Sequence, residues 1–178
     1  MKGDHETAKD FLENAMETSL EFYGSDSEIV AKHKANLAMA YSELNNVEAG
    51  LISIKSAVKI LSDKFGFEDE RVLQNQSNQA LFHQKLGQLE VAKELLERVI
   101  ELETKVKKTS HPDIAITKSN LGMILNDLGL HDRAKRLLLE ALEIDLTNQP
   151  SGHLKISRPD FPVLAVQELG GPQIFMKM

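Results

Sequence analysis

Apolar residues recur at helical spacing along most of the chain. The first such stretch, residues 5–22, places its apolar side chains on one face of a predicted helix: Ala8, Phe11, Leu12, Ala15 and Met16. The same spacing continues as three helix pairs, at about 28–44 and 47–63, 69–86 and 89–107, and 112–128 and 131–145. Connections within each pair are short, which predicts that neighbouring helices run antiparallel.

The three pairs are copies of one pattern with a period of 42 residues. In this register Asn120 aligns with Asn78 and with Asn36. Self-similarity at such a period is typical of a stacked array of helical units. The repeats are therefore predicted at about 28–63, 69–107 and 112–145, with a half repeat at 5–22 that aligns with the second helices.

Two further sets of positions support the array. The first helices end at Asn45, Gly87 and Gly129, residue types that tolerate the left-handed conformation after a helix end. Small residues recur at facing positions of the paired helices, where they predict close approach of the backbones: Ala38, Ala80 and Gly122 in the first helices, and Gly50, Ala92 and Ala134 in the second. His83 occupies a core position in the second repeat and is expected to be packed.

The pattern decays after residue 145. Residues 146–178 hold four of the five prolines, which interrupt helices. We expect a degenerate first helix of a fourth repeat at 161–169 that caps the array, followed by a flexible tail. The alternative is that this segment docks elsewhere. The half repeat at 5–22 indicates either an excerpt of a longer array or a capping helix.

Composition and motifs argue against several classes of function. The net charge of −6 gives no reason to expect nucleic acid, and no apolar run is long enough to enter a membrane. The chain has no Cys, and no two of its six His are four residues apart, so no metal site is predicted. No catalytic or cofactor motif is present. We therefore expect a non-enzymatic, cytoplasmic protein without cofactors.

The third repeat, HPDIA…SNLGMILNDLG…RAKRLLLEALEI, resembles tetratricopeptide repeats of the kinesin light chain and nephrocystin-3 type. The resemblance covers about residues 5–145. It implies an all-α fold, a right-handed superhelical solenoid of antiparallel helix pairs. In that family the first helices line a concave groove, which holds a peptide segment of another protein.

Carrying the family's groove over to this chain gives one face of each first helix, and we call its members the groove positions. They are Lys32, Ala35, Asn36, Met39 and Ser42 in the first repeat, Gln74, Ser77, Asn78, Leu81 and Gln84 in the second, and Ile116, Ser119, Asn120, Met123 and Asn126 in the third. The three asparagines can pair with a peptide backbone, and the flanking Met and Leu offer apolar contact. Alternatively, the asparagines hydrogen-bond between neighbouring helices.

The residues that clamp chaperone tails in some tetratricopeptide domains are absent except for Asn78, which argues against such a ligand.

The sequence leaves two hypotheses for the function. The chain is an adaptor that binds a linear peptide of a protein partner in the groove. Alternatively, it is a structural or assembly module, or a fragment of a longer array. In that case its exposed ends, with Phe11, Leu12 and Met16 at the first, would self-associate.

Overall fold

A computed structural model describes residues 2–148, apart from the side chains of residues 2–5 and of Ala8. Within this range the chain forms seven α-helices and no strand. They are α1 (Lys2–Tyr23), α2 (Glu28–Glu43), α3 (Val47–Phe65), α4 (Glu70–Lys85), α5 (Leu89–Val106), α6 (Pro112–Asp127) and α7 (His131–Asn148). The predicted cap at 161–169 and the predicted tail lie outside the described residues.

The chain divides into two compact units. Within the described residues, unit 1 extends to Lys107 and holds α1 to α5, and unit 2 begins at Lys108 and holds α6 and α7. None of the described helices combines the length and the apolar content that crossing a bilayer requires.

The turn inside each helix pair has the same hydrogen-bond pattern. The residue after the first helix has a positive φ in all three turns, 60° at Asn45, 72° at Gly87 and 75° at Gly129. The next amide then reaches back to a carbonyl of the last helical turn, as when Asn46 N donates to Tyr41 O at 2.8 Å. This arrangement satisfies carbonyl groups that the helix end leaves unpaired. The predicted left-handed conformation at these positions is confirmed.

The small residues of the repeat lie where paired helices approach most closely. Ala38, Ala80, Ala92 and Ala134 are fully buried. A Cβ added to Gly50 of α3 would overlap Cε1 of Phe82 in α4 and lie 3.1 Å from the carbonyl oxygen of Ala38. The packing of α3 between α2 and α4 therefore depends on the absence of a side chain at this position.

In unit 2 the glycine lies on the other helix of the pair. A Cβ added to Gly122 of α6 would lie 2.8 Å from Cγ of Leu138 in α7. Around this contact the two helices share an apolar core, formed by Ile114, Ala115, Ala141 and Ile144.

Unit 1 contains apolar clusters as well as polar contacts between helices. The clusters join α2, α3 and α4 and contain Ala31, Ala57, Leu61 and Val72 in one, and Ala38, Ile54 and Phe82 in the other. The contact of α1 with α2 is more polar, because Tyr41 Oη donates to Glu13 Oε1 at 2.8 Å and Ser19 Oγ lies 3.1 Å from His33 Nδ1. His83 is buried as expected, with its Nδ1 2.6 Å from Gln88 Oε1.

Candidate functional site

In unit 1, two side-chain contacts join the first helices of consecutive repeats. Arg71 Nη1 of α4 donates to Glu28 Oε1 of α2 at 2.8 Å, and Lys85 Nζ of α4 donates to Ser42 Oγ of α2 at 2.5 Å. Each contact joins residues that are 43 positions apart, one near the start of both helices and one near their end. The helices α2 and α4 therefore run parallel, with equivalent positions side by side.

Asn78 lies midway between these contacts, seven residues from Arg71 and seven from Lys85. Residues seven apart lie on nearly the same side of a helix, so Asn78 belongs to the side of α4 that is turned toward α2. The residue midway between Glu28 and Ser42 on α2 is Ala35, which packs against both apolar clusters. The Asn78 side chain is half-buried, consistent with a place at the edge of this helix contact.

The remaining groove positions of unit 1 reach solvent to different extents. Asn36, Lys32 and Gln74 are exposed, and Met39 is 46% exposed. Leu81 is half-buried. The two helices thus present amide groups and two apolar side chains within the same part of their length, which is the combination that the sequence predicted for peptide binding.

The amides of Asn36 and Asn78 are available for a ligand. Neither side chain forms a hydrogen bond with another residue in the described part of the chain. Ser77 and Gln84 do have partners, and Ser77 is buried. For Asn36 and Asn78 the geometry therefore does not support the alternative in which the asparagines bond to neighbouring helices.

The groove positions of α6 in unit 2 are less accessible. Ser119 is buried and Asn120 is only 8% exposed, and Asn120 already has a polar partner. Asn126 is exposed, but its Oδ1 lies 3.0 Å from Nδ1 of His131 at the start of α7. Met123 and Ile116 are half-buried. The asparagine that the register aligns with Asn36 and Asn78 is thus inside the protein.

Charge at the start of α2 and α4 is largely compensated. Arg71 donates from Nε to Asp69 Oδ1 at 2.8 Å and also pairs with Glu28, and the hydrogen bonds to these carboxylates raise the pKa of Arg71 above its usual value. The same guanidinium lies 3.6 Å from the centre of the Phe65 ring. Sequence reasoning missed this cluster because Arg71, which joins its members, is not repeated and aligns with Ile29 and Asp113.

Among residues 2–148, no group of three His, Asp or Glu side chains is placed to hold a metal ion. An open cavity of about 330 Å³ in unit 2 is lined mainly by polar residues, and its Lys118 is already paired with Glu140 at 2.6 Å.

Comparison with known proteins shows similarity of part of the sequence to one family and of the fold to several solved structures. Residues 71–147 match the family model described as tetratricopeptide repeat. No curated protein sequence matches the chain. Among solved structures, BtubC (BKLC) from P. vanneervenii is similar over 85% of this chain and 61% of its own, with 22% identity and a TM-score of 0.74. The chain therefore spans about three fifths of the length of BtubC.

Two further structures are similar. A putative kinesin light chain from Podosopora anserina, with nearly identical TPR-like repeats, has 24% identity and a TM-score of 0.70, covering 84% of this chain and 71% of its own. MamA has 14% identity and a TM-score of 0.53, covering 78% and 79%. The predicted all-α, tetratricopeptide-like solenoid fold and the resemblance to repeats of the kinesin light chain type are confirmed.

Proposed function

We propose that this chain is a non-enzymatic adaptor that binds a linear peptide segment of a protein partner along the groove positions of α2 and α4. Tetratricopeptide repeats generally mediate protein–protein interactions, and that coarser role follows from the fold. One observation supports the finer proposal. The side-chain amides of Asn36 and Asn78 have no hydrogen-bond partner among the described residues, and they lie on two parallel helices that hydrogen bonds connect near both ends.

The chemistry of these side chains favours an extended peptide. An asparagine amide offers a donor and an acceptor, which match the N–H and C=O groups that an extended strand presents along its edge. Such pairing is independent of the peptide's side chains. Met39 and Leu81 would then contact an apolar side chain of the peptide, and the flexible Met39 adapts to its shape.

The groove positions of α6 lie outside this proposed contact. Met123 and Asn126 retain some solvent exposure, but the proposed contact is confined to α2 and α4 of unit 1. Ser119 and Asn120 are buried, so we assign them to the packing of unit 2 rather than to direct contact with the peptide.

A peptide array probed with the full chain tests the proposal. Peptides that bind are then titrated with the wild type and with the double variant Asn36→Ala/Asn78→Ala, using fluorescence anisotropy. Loss of two amide pairs of about 1 kcal/mol each predicts a weakening of about tenfold or more. The matched control is Asn14→Ala, an exposed asparagine on α1. Equal affinity of the double variant and the wild type would contradict the proposal.

A further inference from the structure

Helix α1 exposes two large aromatic side chains on one side. Phe11 is 71% exposed and Phe22 is 74% exposed, more than any other large apolar residues in the described chain apart from Ile52. The residues Phe11, Ala15, Thr18 and Phe22 are spaced by four, three and four positions, which places them in one strip along the helix. We call these four residues the α1 strip.

The α1 strip does not face α2. Two hydrogen bonds from α1 to α2 lie on another side of the helix, from Tyr41 to Glu13 and between Ser19 and His33. In the 42-residue register α1 corresponds to α3, and Ala15 corresponds to Ala57, which is fully buried in α3. Ala15 is only half-buried. At this position α1 leaves open a side that α3 has covered.

The spacing of the strip is self-complementary. Two identical helices that pack antiparallel about a twofold axis form an isologous interface. In such an interface the numbers of the two residues that face each other always add up to the same value. With the twofold axis between Ala15 and Thr18, Phe11 faces Phe22 of the second copy, and Ala15 faces Thr18 of the second copy. The small residues lie at the centre, where the helices must approach, and the rings pack at both ends.

The charges of α1 permit this pairing. Its acidic residues form a separate row on another side of the helix, at Glu6, Asp10, Glu13, Glu17 and Glu21. No carboxylate belongs to the strip. Thr18 Oγ1 donates to Asn14 O in its own helix, so its hydroxyl is already satisfied and does not need water at the interface.

We propose that a second copy of this chain covers the α1 strip, with two α1 helices packed antiparallel about a twofold axis. Four mostly exposed rings at roughly 200 Å² each would bury about 600 Å². This area is smaller than the roughly 1,000 Å² that stable specific interfaces reach, and it is in the range of weak, transient contacts. The dimer is therefore weak, with a dissociation constant in the micromolar range or above, and it depends on concentration.

This inference does not rest on peptide binding, because α1 contains none of the groove positions. It also corrects the sequence-based choice of residues. Leu12 and Met16 are half-buried, whereas Phe22, which the sequence analysis did not select, is exposed.

Sedimentation equilibrium of the full chain from about 1 to 500 µM, a range chosen to bracket a weak dimer, tests the proposal. The wild type is expected to shift from monomer to dimer, and Phe11→Ser/Phe22→Ser to weaken association at least tenfold. Thr18→Arg adds a bulky charge at the centre without removing a ring and is expected to have the same effect. The control Ile52→Ser, which removes an equally exposed apolar residue of α3, should associate as the wild type does.

Cysteine trapping tests the geometry, since the chain has no cysteine of its own. A mixture of the variants Phe11→Cys and Phe22→Cys is expected to form the mixed disulfide under redox exchange, while either variant alone forms little. Two copies of residue 11 would be about 16 Å apart along the antiparallel helices. A wild type that stays monomeric, association unaffected by the strip variants, or disulfides between two copies of residue 11 would each overturn the proposal.

Discussion

The helix pair α2–α3 of unit 1 and the pair α6–α7 of unit 2 follow one sequence pattern but differ at two places. Both have the same turn, with Asn45 and Gly129 in the left-handed conformation. The close-packing glycine, however, lies on the second helix in unit 1, at Gly50, and on the first helix in unit 2, at Gly122. The aligned asparagines differ as well, because Asn36 is exposed and Asn120 is buried.

The difference shows what a repeat register determines. It sets which backbone positions are equivalent and where helices must approach closely. It does not determine which side chain packs where the helices approach closely. It also does not determine how exposed to solvent an aligned residue is. Each glycine compensates for a specific large neighbour, Phe82 in unit 1 and Leu138 in unit 2.

Gly50→Ala should have the largest effect on stability. The added methyl group would overlap the Phe82 ring and press on the Ala38 carbonyl, and neither the ring edge nor the backbone can move far. We expect a loss of about 2–3 kcal/mol in the free energy of unfolding, measured by urea denaturation. In a Phe82→Leu background the same substitution should cost less. An equal cost in both backgrounds would show that Phe82 is not the cause.

Gly122→Ala should destabilise the chain less, by about 1–2 kcal/mol. Its added methyl group would lie 2.8 Å from Cγ and 2.9 Å from Cδ2 of Leu138, whereas the nearest backbone atom, Ala134 O, is 3.5 Å away. A change in the Leu138 rotamer can relieve part of this overlap. The comparison uses the same urea titration. A cost greater than that of Gly50→Ala would contradict the account of the two close approaches.

Alanine substitution of the aligned asparagines should affect stability differently in the two units. Asn120 is buried with a polar partner, so Asn120→Ala is expected to cost about 1–2 kcal/mol. The exposed Asn36 has no side-chain bond in the described residues, so Asn36→Ala should change stability by less than about 0.5 kcal/mol. Thermal unfolding followed by circular dichroism measures both. Similar costs would mean that the two positions are equivalent after all.

The smallest effect concerns pH. The hydrogen bond from Arg71 lowers the pKa of Asp69 in the folded chain. Because the pKa is lower in the folded chain, the ionised carboxylate stabilises the fold at pH values above the ordinary aspartate pKa of about 3.9. This stabilisation is lost as the pH falls through the folded-state pKa. Asp69→Asn keeps the helix cap but removes the charge, so it should cost less than about 1 kcal/mol at pH 7.

The stability difference between Asp69→Asn and the wild type should shrink as the pH falls below about 4. Glu17→Gln, at an exposed site on α1, serves as the control for general acid effects. A difference that stays constant from pH 7 to pH 3 would show that the carboxylate charge at Asp69 contributes nothing.

Most of the fold could be predicted from the sequence because it is repeated. The turn residues and the small residues recur at one period, and a single physical requirement explains each set. The Arg71 cluster could not be found in this way, because the arginine that joins Glu28, Phe65 and Asp69 is not repeated. In the 42-residue register Arg71 aligns with Ile29 and Asp113. The burial of Asn120 was equally hidden, since accessibility depends on the surroundings of a position rather than on its register.

The central claim is that the amides of Asn36 and Asn78 contact a bound peptide while Asn120 does not. The most direct measurement follows the side-chain amide resonances of these residues in a ¹⁵N-labelled chain during titration with a peptide selected on the array, assigned with single Asn→Ala variants. We expect the Asn36 and Asn78 resonances to shift in proportion to occupancy and the Asn120 resonance to change little. Saturating peptide that leaves Asn36 and Asn78 unchanged would contradict the claim.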